Sequence, residues 1–214
     1  MNRPAIAAAA LIGAAFAASA AGYVLLPEGT LIPMHYDFAG HVIHSDGKGA
    51  LFILPAIAAF VQACLIALPR IARMAPKGKP YPAAVAGVVM VALATVFFVA
   101  DSALVLHQFY PAFDILRATF MATGATLIVV GNILGKLRQN YVVGIRTRWT
   151  LSNATVWDKT HRFTGKLMFV GGLVLIAASV AVHDAHVLIA AVVLCAAGPM
   201  IAGAIYSARI ARTV

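Results

Sequence analysis

Long apolar runs separated by shorter polar segments dominate the sequence. Isolated strands would leave backbone groups unsatisfied in lipid, whereas a helix of about 20 residues crosses the hydrocarbon core of a bilayer. Six runs reach or approach that length, near 4–26, 50–69, 83–106, 115–135, 164–182 and 187–208. The pattern therefore predicts an all-α, polytopic membrane helix bundle with about six transmembrane helices.

Two connections between these runs are long enough to carry function. The segment 27–49 is rich in glycine and proline, which predicts a compact, turn-rich cap rather than a long helix. The segment 136–166 carries most of the polar side chains of the C-terminal half. We expect two units. Residues 1–69 would form an N-terminal helix pair joined by the loop 27–49, and residues 70–214 would form a four-helix membrane region that contains the motif loop 136–166.

The basic residues predict the orientation of the chain. If the N-terminus is cytoplasmic, all of the 16 Lys and Arg residues except Lys48 and Arg117 fall on the cytoplasmic side or its boundary. Cytoplasmic loops of membrane proteins carry an excess of these residues. Both termini and the segment 136–163 are therefore predicted to be cytoplasmic, and the segment 27–49 is predicted to lie outside.

The composition of the chain favours a membrane protein over a nucleic-acid-binding protein. Hydrophobic residues make up 62% of the chain and charged residues 11%, against about 25% charged residues in soluble domains. A net charge of +9 would favour nucleic-acid binding if the basic residues clustered on a soluble face. They lie between apolar runs instead, so the lipid bilayer is the expected partner and direct nucleic-acid binding is not expected.

The first apolar run has two interpretations. A basic start, an apolar stretch and an Ala-Ser-Ala sequence also describe a cleavable secretory signal peptide. The run continues through Leu25 and Leu26, which makes it long enough to span the bilayer, so we expect it to be retained. The predicted topology of the remaining segments is the same in either case.

Histidines and acids concentrate on the predicted outer side. All of the seven histidines except His161 fall there, and such clusters of His and carboxylate side chains suit zinc or copper. No fixed ligand spacing is present, and the two cysteines lie in apolar runs, so we predict no metal site and no cofactor. If a metal did bind, its candidate ligands would be His35, His41, His44, His183 and His186.

Two charged residues lie inside the outer ends of the third and fourth runs. Asp101 and Arg117 are costly in lipid and are functional candidates for that reason. The short connection makes these helices antiparallel neighbours, so the two side chains are predicted to form an intramembrane charge pair. Asp114 is an alternative partner for Arg117, because it lies three residues earlier in the chain.

The segment 140–166 places aromatic and basic residues between apolar runs. Ser152 is a plausible N-cap for a short helix that reaches about Lys166, with Trp157, His161 and Thr164 on one stripe. Asp158 and Arg162 have the spacing of an i,i+4 ion pair.

The same segment is also a candidate for anion binding at the membrane surface. Trp149 and Trp157 would lie at headgroup depth, as interfacial tryptophans do. Arg146, Arg148 and Arg162 would then bind a lipid phosphate or an anionic partner through forked hydrogen bonds.

Two stretches resemble known families. The pattern N-x-x-x-G-I-R-T-x-W-T followed by W-x-x-T-H-R resembles the SdpI family of bacterial membrane proteins, an immunity protein family. Its positions here are Asn140, Gly144, Ile145, Arg146, Thr147, Trp149, Thr150, Trp157, Thr160, His161 and Arg162. The outer segment resembles a domain of unknown function often fused ahead of that family, with matching or candidate positions at Pro33, His35, Asp37, Gly40 and Lys48.

The resemblance implies a function in immunity or signalling rather than catalysis. A multi-pass protein of the bacterial inner membrane would protect the cell from a membrane-active peptide toxin on the outer side. On the inner side it would bind a cytoplasmic repressor or an anionic lipid through the motif residues. An ion-coupled or small-solute transporter that uses Asp101, Arg117 and the outer histidines is the alternative. An enzyme is not expected, because no nucleophile, base and orienting group occur together.

Overall fold

The computed structural model describes residues 3–37, 41–72 and 83–213. Six helices in this part of the chain are long and apolar enough to cross a membrane. This confirms the all-α, polytopic bundle. Gly40 and the basic residues Arg73, Lys77 and Lys79, on which part of the sequence analysis rests, lie outside the described residues.

The helices follow the predicted apolar runs closely, with one extension. In chain order they are α1 (Arg3–Leu25), α2 (Ile53–Ala72), α3 (Ala83–Phe109), α4 (Ile115–Leu134), the short α5 (Arg148–Ser152), α6 (Ala154–Ala181) and α7 (Ala185–Ile210). Helix α6 begins ten residues before the predicted span at 164–182. The short helix predicted to start after Ser152 is therefore the first part of this long helix, and its N-cap is Asn153, whose side chain accepts hydrogen bonds from Thr155 N and Val156 N.

The outer cap contains a β-hairpin, which the glycine- and proline-rich sequence of this segment did not indicate. Strands β1 (Ile32–Tyr36) and β2 (Val42–Asp46) pair antiparallel, and a 3₁₀ helix (Lys48–Phe52) leads into α2. The register places His35 opposite His44, with irregular spacing on both sides of this pair. Ile32, the first residue of β1, is fully buried and joins an apolar cluster with Leu51 and Leu104.

The helices pack in two groups that meet at α3 and α4. Helix α1 packs chiefly on α3, whereas α4, α6 and α7 form the second group, in which the α4–α6 contact is the most extensive. Helices α1 and α2, which the sequence predicted as an N-terminal unit, thus pack against α3, the first helix of the predicted second unit. The division at residue 70 itself stays a prediction.

Glycines allow the close approach of α4 and α6. A Cβ atom on Gly131 would lie 2.6 Å from the Gly165 carbonyl oxygen, and one on Gly124 would lie 2.8 Å from the Gly172 carbonyl oxygen. These neighbours are backbone atoms that cannot move aside without separating the helices. Such small-residue contacts are a common way for membrane helices to associate.

Candidate functional site

The motif segment folds across the ends of α4, α6 and α7. Asn140 is buried and shapes its first turn, because its side-chain oxygen accepts hydrogen bonds from Val142 N and Val143 N, both at 2.8 Å. Its Nδ2 donates to the Arg138 carbonyl at 2.9 Å. The side chain therefore satisfies a backbone turn and is not available to a ligand.

His161 connects this turn to α6. Its Nε2 accepts a hydrogen bond from Ile145 N at 3.0 Å, and its Nδ1 lies 2.9 Å from the Trp157 carbonyl oxygen, to which it donates. One nitrogen that donates and one that accepts is the pattern of a neutral imidazole. Gly144 has φ +115° and lies so close that a Cβ atom there would contact His161 Nε2. Only a residue without a side chain leaves room for the imidazole ring at this position.

Trp157 is buried, so the prediction that it anchors the loop at headgroup depth is wrong. It has no exposed surface, its ring stacks on His161 with centroids 4.0 Å apart, and its Nε1 donates to the Leu137 carbonyl at 2.6 Å. The physical reason is that the early start of α6 turns its Trp157–His161 stripe toward the folded motif segment. The predicted stripe itself is real, since Thr164 is buried on it as well.

Threonines start the short helix α5. Thr147 is its N-cap and forms a capping box with Thr150, whose Oγ1 also lies 2.7 Å from the Ile145 carbonyl oxygen. Thr147 Oγ1 lies 3.0 Å from Ser207 Oγ, which connects the motif segment to α7. Thr160 is also fully buried, but its hydroxyl has no hydrogen-bond partner among the described residues.

One residue of this network carried no signal in the motif. Gln139 Nε2 donates to the carbonyl oxygens of Thr150 and Leu151, at 2.6 and 2.9 Å. A glutamine next to the motif could not be distinguished from a solvated loop residue by its type alone.

The exposed motif residues do not form one site. Arg146 is exposed and its Nη1 donates to the Tyr141 carbonyl at 2.6 Å. The Arg148 guanidinium lies over the Trp149 ring, 4.6 Å from its centroid. Arg162 is exposed elsewhere, along a groove between α4 and α6 that Arg146 does not line. The motif thus has two parts. Its buried residues stabilise the folded segment, whereas its arginines are exposed at separate places on the surface.

The predicted Asp101–Arg117 charge pair is not formed. Asp101 is fully buried, and its Oδ1 lies 2.9 Å from Ser19 Oγ on α1, while its Oδ2 has no hydrogen-bond partner among the described residues. Arg117 Nε lies 3.0 Å from Asp114 Oδ2, and its Nη2 donates to the Val182 carbonyl at 3.2 Å. Helix α3 turns Asp101 toward α1, so the alternative partner Asp114 is the one that pairs with Arg117.

The outer cap holds its single lysine tightly. Lys48 Nζ lies 2.7 Å from Glu28 Oε1, donates to the Leu26 carbonyl at 3.1 Å and lies over the Tyr23 ring. Lys48 is therefore a structural residue that closes the hairpin onto the end of α1. Pro33 lies in β1, paired with Ser45 of β2.

The outer histidines stay apart in space. His35 and His44 face each other across the hairpin with ring centroids 5.8 Å apart, while His41 Nδ1 lies 3.1 Å from Asp37 Oδ2. Within the described residues no three His, Cys, Asp or Glu side chains come together in a way that could hold a metal ion. The candidates His183 and His186 therefore do not complete a ligand set with the hairpin.

The motif segment and the helices around it have counterparts in known proteins. Residues 136–207 match the family model described as the SdpI/YfhL protein family. The Immunity protein SdpI of Bacillus subtilis (strain 168) is 38% identical over 55 residues, which are 26% of this chain and 27% of that protein. No solved structure matches. The region 136–207, which contains the folded motif, is therefore similar to the SdpI family.

Proposed function

We propose that the chain is a membrane immunity protein of the bacterial cytoplasmic membrane. It would confer resistance to a membrane-active peptide toxin and would capture a cytoplasmic regulator through its motif segment. The observation that carries this proposal is the family match over 136–207, the region where the buried motif residues fix the loop to α6 and α7.

The outer hairpin supports recognition of an apolar peptide. Leu31, Val42 and Ile43 expose 65%, 49% and 67% of their surface on or beside the two strands. Exposed apolar side chains on a small hairpin at the membrane surface suit contact with an amphipathic peptide, and a strand edge accepts an extended segment through backbone hydrogen bonds. We therefore propose that the toxin contacts this hairpin.

The exposed half of the motif supports capture of an acidic partner on the inner side. Arg146 and Arg148 carry their charges on the surface of a loop whose backbone is held by buried hydrogen bonds. A guanidinium binds carboxylates in a forked geometry that a lysine cannot reproduce. We propose that these two arginines contact acidic side chains of a regulator.

Neither a transporter nor an enzyme is favoured by the arrangement of the side chains. Asp101 contacts α1, whereas Arg117 contacts Asp114 and Val182, so the residues considered for a transport path do not line up. Both nitrogens of His161 are engaged in hydrogen bonds, so it is not placed to act as a general base. We therefore propose a non-enzymatic role.

The test is a protection assay. The protein is expressed in a sensitive bacterial strain that is then challenged with a panel of membrane-active peptides. We expect higher survival with the intact chain and reduced survival when Val42 and Ile43 are both changed to Ser. Unchanged survival against every peptide, at normal abundance in the membrane, would refute the immunity function.

A conservative substitution of Arg146 tests the proposed capture of a cytoplasmic regulator. Arg146→Lys keeps the charge but removes the fork, so we expect reporter output from a captured repressor to fall while protection and membrane abundance stay normal. Lys159→Arg is the matched control, since Lys159 is an exposed cation of α6 at a position that the pattern W-x-x-T-H-R leaves unspecified. Full output from Arg146→Lys would mean that charge alone is needed.

A further inference from the structure

A groove between α4 and α6 combines three cations with an apolar wall. Its volume is about 760 Å³ and it is open on one side. Lys136, Arg162 and Lys166 line one part of it, with Asn132 beside them, and Phe169 and Val170 line the other part. The groove is therefore amphiphilic along its length.

The lengths of the two helices place this groove at a membrane boundary. Helix α6 has 28 residues and is about 42 Å long at 1.5 Å per residue, which exceeds the roughly 30 Å hydrocarbon core. Its apolar part lies toward its C-terminal end, so the excess falls in the first turns, before and around Arg162. Helix α4 ends at Leu134, two residues before Lys136. The cations thus lie at headgroup depth, and Phe169 and Val170 lie deeper.

In the part of the chain that the structure describes, no acidic side chain pairs with the cations of the groove. Asp158 lies one turn before Arg162, but the expected i,i+4 ion pair between them is not formed. Within the described residues, Lys136, Arg162 and Lys166 form no ion pair, and no acidic residue lines the groove. Three uncompensated cations within one groove favour an anionic ligand.

We propose that this groove is a binding site for one anionic phospholipid. Its phosphate would contact Lys136, Arg162 and Lys166, with the Arg162 guanidinium as the forked donor. One acyl chain would lie along Phe169 and Val170. A free phosphate ion would use the same cations but would gain nothing from the apolar wall, and an acidic protein segment would have to enter the lipid. The proposal does not depend on the immunity function.

The experiment measures lipid retained by the purified, full-length protein. After exchange into a neutral detergent, equal amounts of phosphatidylglycerol and phosphatidylcholine are added, and bound lipid is counted by native mass spectrometry. We expect selective retention of phosphatidylglycerol. Replacement of Lys136, Arg162 and Lys166 by Gln is expected to lower the bound fraction at least about tenfold, since each basic residue near an anionic headgroup contributes to binding.

A charge-matched control separates a site from general attraction. Arg138, Lys159 and Arg209 are exposed and lie outside the groove, so their joint replacement by Gln removes the same charge and is expected to leave retention unchanged. Equal loss in both triple variants, or equal retention of the two lipids by the unchanged protein, would overturn the proposal. If the groove triple is unstable, Lys136→Glu and Lys166→Glu are compared singly with Lys159→Glu.

Two further arms distinguish a lipid from a free anion. Inorganic phosphate or glycerol 3-phosphate in excess should not displace phosphatidylglycerol, because neither contacts the apolar wall. Phe169→Ser should weaken phosphatidylglycerol retention while all three cations remain. Displacement by soluble phosphate together with unchanged retention in Phe169→Ser would show a simple anion site and would contradict the lipid assignment.

Discussion

His161 joins three parts of the motif through its two ring nitrogens and one ring face. It holds Ile145 N of the loop, the Trp157 carbonyl of its own helix and the Trp157 indole ring. A buried backbone N–H that loses its acceptor keeps the full cost of its desolvation. At the scale of single residues, the motif is therefore first a means of folding the loop, and only its exposed arginines are left for partners.

His161→Phe tests this structural role. The phenyl ring preserves the stacking on Trp157 but leaves Ile145 N without an acceptor, so we expect destabilisation of about 1–3 kcal/mol. The measurement is thermal unfolding of the detergent-solubilised protein. His186→Phe is the control, because His186 is exposed at the start of α7. Equal stability of the two variants would show that the hydrogen bond to Ile145 contributes little.

Helices α4 and α6 approach closely along a row of glycines on each. Gly124 faces Gly172 and Gly131 faces Gly165, with backbone atoms in contact at both levels. In lipid no hydrophobic force drives two apolar helices together, so such packing contacts determine which helices associate. The same close approach places the cations of α6 beside the end of α4, and the proposed lipid groove depends on it.

Gly131→Ala is expected to destabilise the bundle. Its methyl group would meet the Gly165 carbonyl oxygen and Phe169 N, and overpacking of this kind costs about 1–3 kcal/mol. Gly13→Ala and Gly198→Ala are the controls, because a Cβ atom at either position meets nothing within 4 Å. The controls should be neutral or stabilising, since Ala favours a helix over Gly by about 1 kcal/mol. Thermal unfolding in detergent distinguishes these outcomes, and three equal shifts would contradict the close packing.

The whole molecule has two distinct ends. Tyr36 and Val42 of the hairpin line one cavity together with His107, Phe113 and Ala185, so the cap, the α3–α4 turn and the α6–α7 turn share one end. Burial in this region raises the pKa of the Tyr36 phenol. Helix α4 runs from the α3–α4 turn to the motif segment and spans the bundle once. The motif segment therefore lies at the opposite end. The excess of basic residues there predicts that this second end is cytoplasmic.

Cysteine labelling tests that orientation. In a variant in which Cys64 and Cys195 are replaced by Ala, single cysteines are introduced at the exposed positions Asp46 and Lys159. In intact cells a membrane-impermeant thiol reagent should label only the cysteine at position 46. After permeabilisation both should react. Labelling of both from outside would contradict the predicted topology, and labelling of position 159 alone would reverse it.

Sequence by itself determined the six spans, the likeness to the SdpI family and the residues of the motif. A run of about 20 apolar residues is a local property, and lipid requires it to form a helix whatever its neighbours are. The same holds for the i,i+3 pair of Asp114 with Arg117, which the sequence offered as the alternative to Asp101, because both partners lie within one helical turn. These features could be predicted because they involve only nearby residues.

Tertiary structure alone decided which way each side chain faces. A membrane helix is apolar toward lipid and also toward its neighbours, so its hydrophobic pattern does not mark the buried face as it does in a soluble protein. For this reason the sequence did not show that Asp101 contacts Ser19, that Trp157 lies beneath the loop or that Arg162 faces a groove shared with Lys136. Each of these contacts depends on a helix or loop distant in the chain, and only the packing of that partner selects the face that is buried.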